Sequence, residues 1–396
     1  MDASSSPRNI PKRLLMGPGP SEVDARVYRA MTQPLVGYLD PALLEIMDQI
    51  QARLRATFRT RNRITLPLSG TGGAGMEAAL VNFIEPGDAV AVIVGGLFAS
   101  RMCEIVERCG GKLSRIEHPP EKTADLDQVR RVLLGQKLQV LAVVHSETST
   151  GVCQPLEPLR EIAQETGALF VVDAVSSLAG LPLEVDAWGV DICYSGSQKC
   201  IGCPPGLAPI TLGDRAAEVL LRRQKPVSSW YLDLNLIAKY WDTERSYHHT
   251  PPISMFYALD EALRLVLEEG LEATWERHRQ CHLALVQGME TMGLTMFVED
   301  PAARAWTVNT IRVPQGVDDA RIRNHLLERF GIEIGSGIGA MRGRIWRVGL
   351  LGRTANPELV LLLLQALESA LDENGFSCPR GAAVAAAEKV FQTVNP

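Results

Sequence analysis

The chain has 396 residues, 46% of them hydrophobic, which is enough for a sizeable buried core and, by length, for two or three domains. Its formal charge of −6, with acidic and basic residues interspersed, excludes the basic stripe that neutralises nucleic-acid phosphates. The longest plainly apolar run, Leu359 to Leu364, falls far short of the roughly 20 residues a membrane span needs, so neither nucleic acid nor membrane is an expected partner.

The opening residues, MDASSSPRNIPKR, are polar, lack an apolar signal region and read as an arm over 1–13. The final TVNP is no peroxisomal address, so a cytoplasmic location is expected. Apolar, β-branched runs follow at RITLPL (63–68), AVAVIV (89–94), QVLAVVH (139–145), ALFVVDAV (168–175) and DICYSG (191–196). Helix-like segments such as ADLDQVRRVLLG and LEPLREIAQETG separate most of them. Runs that are apolar on both faces predict an α/β fold built on a mostly parallel sheet covered by helices, placed over 14–269. From Gly270 the texture changes. LEATWERHRQCHLALVQGMETMG reads as one long amphipathic helix, followed by TVNTIRVP, another helix, RIWRVGLLG and a final helix. This predicts a second, smaller α/β domain over 270–376, with an Ala-rich tail over 377–396 to which no role is assigned.

Eight cysteines without repeated spacing indicate neither a disulfide framework nor a zinc cage, and Cys200 and Cys203 alone cannot close a tetrahedral site, so no metal is expected. LSGTGGAGMEAAL (68–80) contains G-x-G-x-x-G at Gly70, Gly72 and Gly75. A dinucleotide fingerprint requires an acidic residue about 20 positions on, at the end of the next strand. That strand ends in VGGLF, and Asp88 precedes it, which counts against a nicotinamide dehydrogenase. Thr71, Gly72 and Gly73 still offer backbone N–H groups to an anion at a helix N-terminus; a tight turn without a ligand is the alternative. FVVDAVSSL ends a buried strand with Asp173, a residue type that is seldom buried unpartnered. YSGSQKCIGCPPG places Lys199 just past another strand, either as a snorkelling surface residue or as a nucleophilic amine at the edge where ligands of open α/β sheets collect. A phosphate nest, a buried aspartate and a lysine at strand ends are the three fixed points of pyridoxal 5'-phosphate.

LLMGPGPS, SGTGGAGMEAALVN, HSETSTGV, VVDAVSSL, YSGSQK with PPG, YHHT and RVGLLG occur in this order. With them the chain resembles the class V aminotransferases of pyridoxal phosphate fold type I, most of all those acting as alanine–glyoxylate, serine–pyruvate or serine–glyoxylate aminotransferases. The resemblance spans about Ile10 to Gly375. It implies a large domain with a mostly parallel seven-stranded sheet, a smaller C-terminal α/β domain, and a homodimer with its active sites at the subunit interface.

Residue by residue, the resemblance implies Lys199 as the Schiff-base lysine and Asp173 as the partner of the pyridinium nitrogen. Thr71, Gly72, Gly73 and Gln198 fall on phosphate positions. Phe98 lies where the family stacks an aromatic ring, Val175 packs the other face, and Thr148 sits near the ring hydroxyl at a position that is commonly Ser. Tyr247 and Thr250 reach the phosphate of the neighbouring subunit, while His248 and His249 read as a packed or solvated pair. Arg347 holds the substrate carboxylate, with Gly19 as its backbone partner, and LVGYLDP, with Gly37 and Tyr38, lines the entrance. The implied reaction is ping-pong transfer of the amino group of alanine or serine to glyoxylate or pyruvate, a single arginine suiting a monocarboxylic amino acid. Kynurenine-type and pyridoxamine-type aminotransferases and lyases share the frame. Cysteine desulfurases instead use His before the lysine and on the ring, positions held here by Gln198 and Phe98.

Overall fold

The structure, a computed structural model, describes residues 9–394. The first eight residues of the expected arm lie outside them. Seven strands form the central sheet: β1 (Ile64–Ser69), β2 (Ala89–Val94), β3 (Lys112–Glu117), β4 (Val140–Val144), β5 (Leu169–Asp173), β6 (Ile192–Tyr194) and β7 (Leu207–Leu212). Their order is β1-β7-β6-β5-β4-β2-β3, parallel throughout except that β7 runs antiparallel to both of its neighbours. Every residue of β4 and β5 is buried, as expected of parallel strands covered by helices on both faces. The C-terminal ends of β4, β5 and β6 therefore open at one edge of the sheet, beside the N-termini of the helices Gly72–Val81 and Leu97–Arg108.

Two of these strands are not among the runs read from the sequence. β3 (KLSRIE) is an edge strand that buries only Ile116, so its polar residues hide its pairing with β2. β7 contains Pro209, and an internal proline argues against a central strand because it cannot donate to the ladder. Here Pro209 lies opposite Pro67 of the edge strand β1, and its carbonyl still accepts the Ser195 N–H at 2.8 Å.

A second core gathers around a three-stranded antiparallel sheet, β8 (Val308–Arg312), β9 (Gly335–Ser336) and β10 (Ile345–Gly349), in the order β8-β10-β9. The helices Leu271–Thr291, Asp319–Phe330 and Pro357–Glu373 cover it. Two boundaries differ from the sequence-based ones. Leu14–Leu15 pairs in parallel with Ile332–Glu333, and Met16 is buried in the second core, so the segment just after residue 13 packs with the smaller unit. The Ala-rich tail is a helix, Ala382–Val394, lying along Leu271–Thr291. Ala383 and Ala387, four residues apart on one face, are fully buried, since side chains this small let two helices approach closely.

Candidate active site

The helix Gly72–Val81 starts at Thr71 without a side-chain cap, leaving first-turn N–H groups free for an anion. Two glycines make this turn possible. Gly70 has φ +156 and a Cβ there would lie 2.6 Å from that of Ala74; a Cβ on Gly72 would come within 3.0 Å of Val175. Facing them is Gln198, whose buried Oε1 has no hydrogen-bond partner. A half-turn of its amide would present a donor to the same anion.

Asp173 ends β5 and is 2% exposed. Its Oδ1 accepts the Val175 N–H at 2.8 Å and its Oδ2 the Tyr194 hydroxyl at 2.7 Å. Burial pushes its carboxyl up to about 7, the two hydrogen bonds and Lys199 opposing and nearby Glu147 adding to the rise. Among the described residues no cation lies in salt-bridge range, so the site offers a buried carboxylate in want of a positive partner. Lys199, also buried, donates from Nζ to the Pro18 carbonyl. Burial brings its ammonium down to about 8, with Arg347 acting in the same direction and Asp173 against it. Gly19, φ +111, leaves room for this side chain; a Cβ there would lie 2.4 Å from Nζ. The same segment is tied down by Ser21, whose N–H donates to Gln198 O at 2.9 Å and whose hydroxyl donates to Lys199 O at 2.7 Å.

A cavity of about 250 Å³ brings Thr71, Gly72, Gly73, Phe98, Thr148, Asp173, Val175, Gln198 and Lys199 together. Its residues fit pyridoxal 5'-phosphate on three independent counts. An uncapped helix N-terminus and an orphan amide suit a phosphate, a cation-free carboxylate suits a protonated ring nitrogen, and an amine of lowered pKa suits a carbonyl carbon.

Arg347, on β10, approaches from the smaller unit. Its Nε donates to Ser336 O at 2.7 Å and its Nη1 to Thr148 O at 3.2 Å, and no carboxylate pairs with it among the described residues. Burial lowers its pKa to about 10, leaving it charged at neutral pH with donors to spare. Tyr247 and Thr250 are not brought to the cavity of their own chain. They hydrogen-bond to each other at 3.1 Å, and Tyr247 is half exposed. His248 and His249 form a packed pair, their Nδ1 atoms 2.7 Å apart, with His248 stacked on Trp230 and His249 Nε2 2.7 Å from Ser69 Oγ. The thiols of Cys200 and Cys203 are buried, that of Cys200 pushed up to about 12, which suits packing rather than redox chemistry.

Met76, Arg101 and Ser146 also line the cavity, and Tyr194 anchors Asp173. None was singled out in the sequence. Arg101 sits one helical turn after Phe98, over whose ring its guanidinium lies at 4.9 Å, and Tyr194 is the register partner of Asp173; both follow once the helix and the strand pairing are known.

A family model described as aminotransferase class-V matches residues 27–343. The chain belongs to the class V aminotransferases. The (S)-ureidoglycine–glyoxylate transaminase of Bacillus subtilis (strain 168) is 40% identical over 403 residues, covering 97% of each chain. The alanine–glyoxylate aminotransferase of Callithrix jacchus is 40% identical over 377 residues, covering 94% of this chain and 90% of its own. Among solved structures, an alanine–glyoxylate aminotransferase from Nostoc sp. superposes with a TM-score of 0.91 at 45% identity, covering 93% of this aminotransferase and 97% of that chain. The fold is that of the type I pyridoxal phosphate aminotransferases.

Proposed function

We propose that this aminotransferase binds pyridoxal 5'-phosphate in the cavity and moves the amino group of a small monocarboxylic amino acid, alanine or serine, to glyoxylate. The observation that carries this is the convergence of Lys199, Asp173 and an uncapped helix N-terminus on one cavity, with the unpaired guanidinium of Arg347 beside it. Glyoxylate as acceptor is supported by its place in the names of both kinds of relative. A second donor, (S)-ureidoglycine, is supported by the Bacillus relative, which is as similar as the alanine–glyoxylate enzymes.

When bound, pyridoxal 5'-phosphate supplies an electrophilic carbon and a ring that accepts the electron pair left on the substrate. Thr71, Gly72, Gly73 and Gln198 bind the phosphate. Asp173 holds the proton on the ring nitrogen, its own burial cost offset by that positive charge. Arg347 binds the substrate carboxylate, in a bidentate way that also orients Cα. Lys199, whose amine is neutral in good part near pH 8, takes the proton from Cα and returns it at the carbon that receives the amino group.

Tyr247 and Thr250 act, in this proposal, across a dimer interface on the partner's phosphate; their exposure away from their own cavity supports that role. A cytoplasmic location belongs to the same proposal. The test is the half-reaction. Alanine or serine added to the loaded protein should remove the cofactor's visible absorbance, and glyoxylate should restore it. Faster loss with (S)-ureidoglycine would favour the second donor. Loss only with aspartate or glutamate would sink the assignment of a single carboxylate site.

A further inference from the structure

The helix Leu97–Arg108 carries Phe98 into the cavity, yet it starts at Gly96 and has no side-chain cap of its own. Its first-turn donors are satisfied from a distant loop. Glu147 Oε2 accepts the N–H groups of Phe98 and Ala99, both at 3.2 Å. Ser149 Oγ accepts the Leu97 N–H at 3.0 Å and donates its proton to Glu147 Oε1, which also takes the Ser149 N–H at 3.1 Å. The carboxylate enters through a gap left by Gly96, where a Cβ would lie 2.4 Å from Glu147 Cγ.

Glu147 is 4% exposed, and no cation pairs with it among the described residues. Burial raises its pKa, but every hydrogen-bonding group around the carboxyl is a donor, which selects the acceptor-only ionised form, and the helix dipole favours the same charge. The next residue, Thr148, lines the cavity, and its carbonyl accepts from Arg347. Glu147 O in turn accepts the N–H groups of Thr150 and Gly151, closing the turn that aims that carbonyl. One side chain and one carbonyl of the same residue thus hold a ring-stacking helix and the anchor of the substrate arginine.

We propose that Glu147 is a positioning residue that fixes Phe98 and Arg347 relative to one another, a role that rests on the cofactor and substrate assignments above. It touches neither cofactor nor substrate. It sets where the cofactor ring and the substrate carboxylate meet.

The test is Glu147→Gln, which keeps the shape and one acceptor but turns an NH₂ toward backbone N–H groups, which can only donate. In the cofactor-free protein, amide hydrogen exchange at Leu97, Phe98 and Ala99 should accelerate about tenfold or more, as expected when a buried capping contact worth about 1.4 kcal/mol is lost. In the loaded protein the visible circular dichroism of the cofactor should fall, and KM for the amino donor should rise about tenfold with kcat changed less than threefold. A merely stabilising Glu147 would lower the melting temperature yet leave the dichroism and KM of the folded fraction unchanged; that result overturns the proposal. Ser149→Ala, which removes the Leu97 link and one hydrogen bond to Glu147 while leaving the Phe98 and Ala99 contacts in place, should give the same pattern at smaller amplitude. It decides the matter should Glu147→Gln fail to fold, unchanged KM and dichroism again being the overturning result. A wild-type protein that takes up no pyridoxal 5'-phosphate sinks the functional reading itself, an outcome distinct from a normal wild type beside an indifferent Glu147→Gln.

Discussion

Asp173→Asn should stabilise the cofactor-free protein while disabling the enzyme. With the cavity empty, burial holds the Asp173 carboxyl at about 7, against about 3.9 in an unfolded chain. Between these values the folded protein keeps a proton that the unfolded chain releases. Raising the pH therefore favours unfolding, by about 1.4 kcal/mol per unit, until the folded group also ionises near pH 7 and the effect levels off. The full span of about three units sets a ceiling of about 4 kcal/mol. The variant carries no such term. Its stability advantage over wild type, measured by urea unfolding of both cofactor-free proteins at one protein concentration, should grow by about 2 kcal/mol between about pH 5.5 and about pH 7, then flatten. With cofactor present the order reverses, because the carboxylate gains a pyridinium partner that an amide cannot replace, and the variant should lose most of its activity. A difference between the cofactor-free proteins that does not change with pH would refute the claim that this carboxylate is buried without compensation.

Lys199→Ala should abolish turnover and the visible band of lysine-bound cofactor while far-UV circular dichroism stays native; a surviving band would remove Lys199 from its role. Arg347→Ala should raise KM for the amino donor by about 10- to 150-fold, the worth of a charge-assisted contact of about 1.5–3 kcal/mol, with much less effect on cofactor affinity; equal damage to both would mark a structural arginine. Lys199→Ala chains mixed with Tyr247→Phe, Thr250→Ala chains should recover activity at about a quarter of all sites if the phosphate contacts cross a dimer interface. Activity no greater than the sum of the separate variants, with subunit exchange shown by tagged pull-down, would refute sharing.

How far the sequence reveals this molecule depends on what each residue has to say locally. β4 and β5 are legible because all ten of their positions are buried and nearly all are apolar; the aspartate is legible because it ends such a run, and the lysine because it stands in the small-residue turn that follows β6. β3 is silent because an edge strand needs only one buried side chain, and β7 because Pro209 speaks against a strand that tertiary pairing nevertheless enforces. Arg347 was placed by family resemblance alone, since nothing in IWRVG discloses a partner 199 residues away. Glu147 is hidden most completely. A glutamate between serine and threonine reads as a solvated turn, and only the arrival of a foreign helix terminus makes it a buried anion.

The segment from Leu14 to Ser21 pairs with Ile332–Glu333, offers its Met16 carbonyl to the Gly349 N–H, and ends on the backbone of Gln198 and Lys199. Its residues are synthesised long before their partners near Gly349. At ordinary elongation rates of about 5–20 residues per second, Met16 waits on the order of half a minute for its place in the core. Throughout that interval an apolar stretch stays uncovered and the carbonyl that receives the Lys199 amine has no fixed position. The pocket around the lysine closes only once the strand that ends at Gly349 has been made. A chain that stops short of Gly349 lacks the partner that holds this segment beside Lys199, and its lysine pocket stays incomplete.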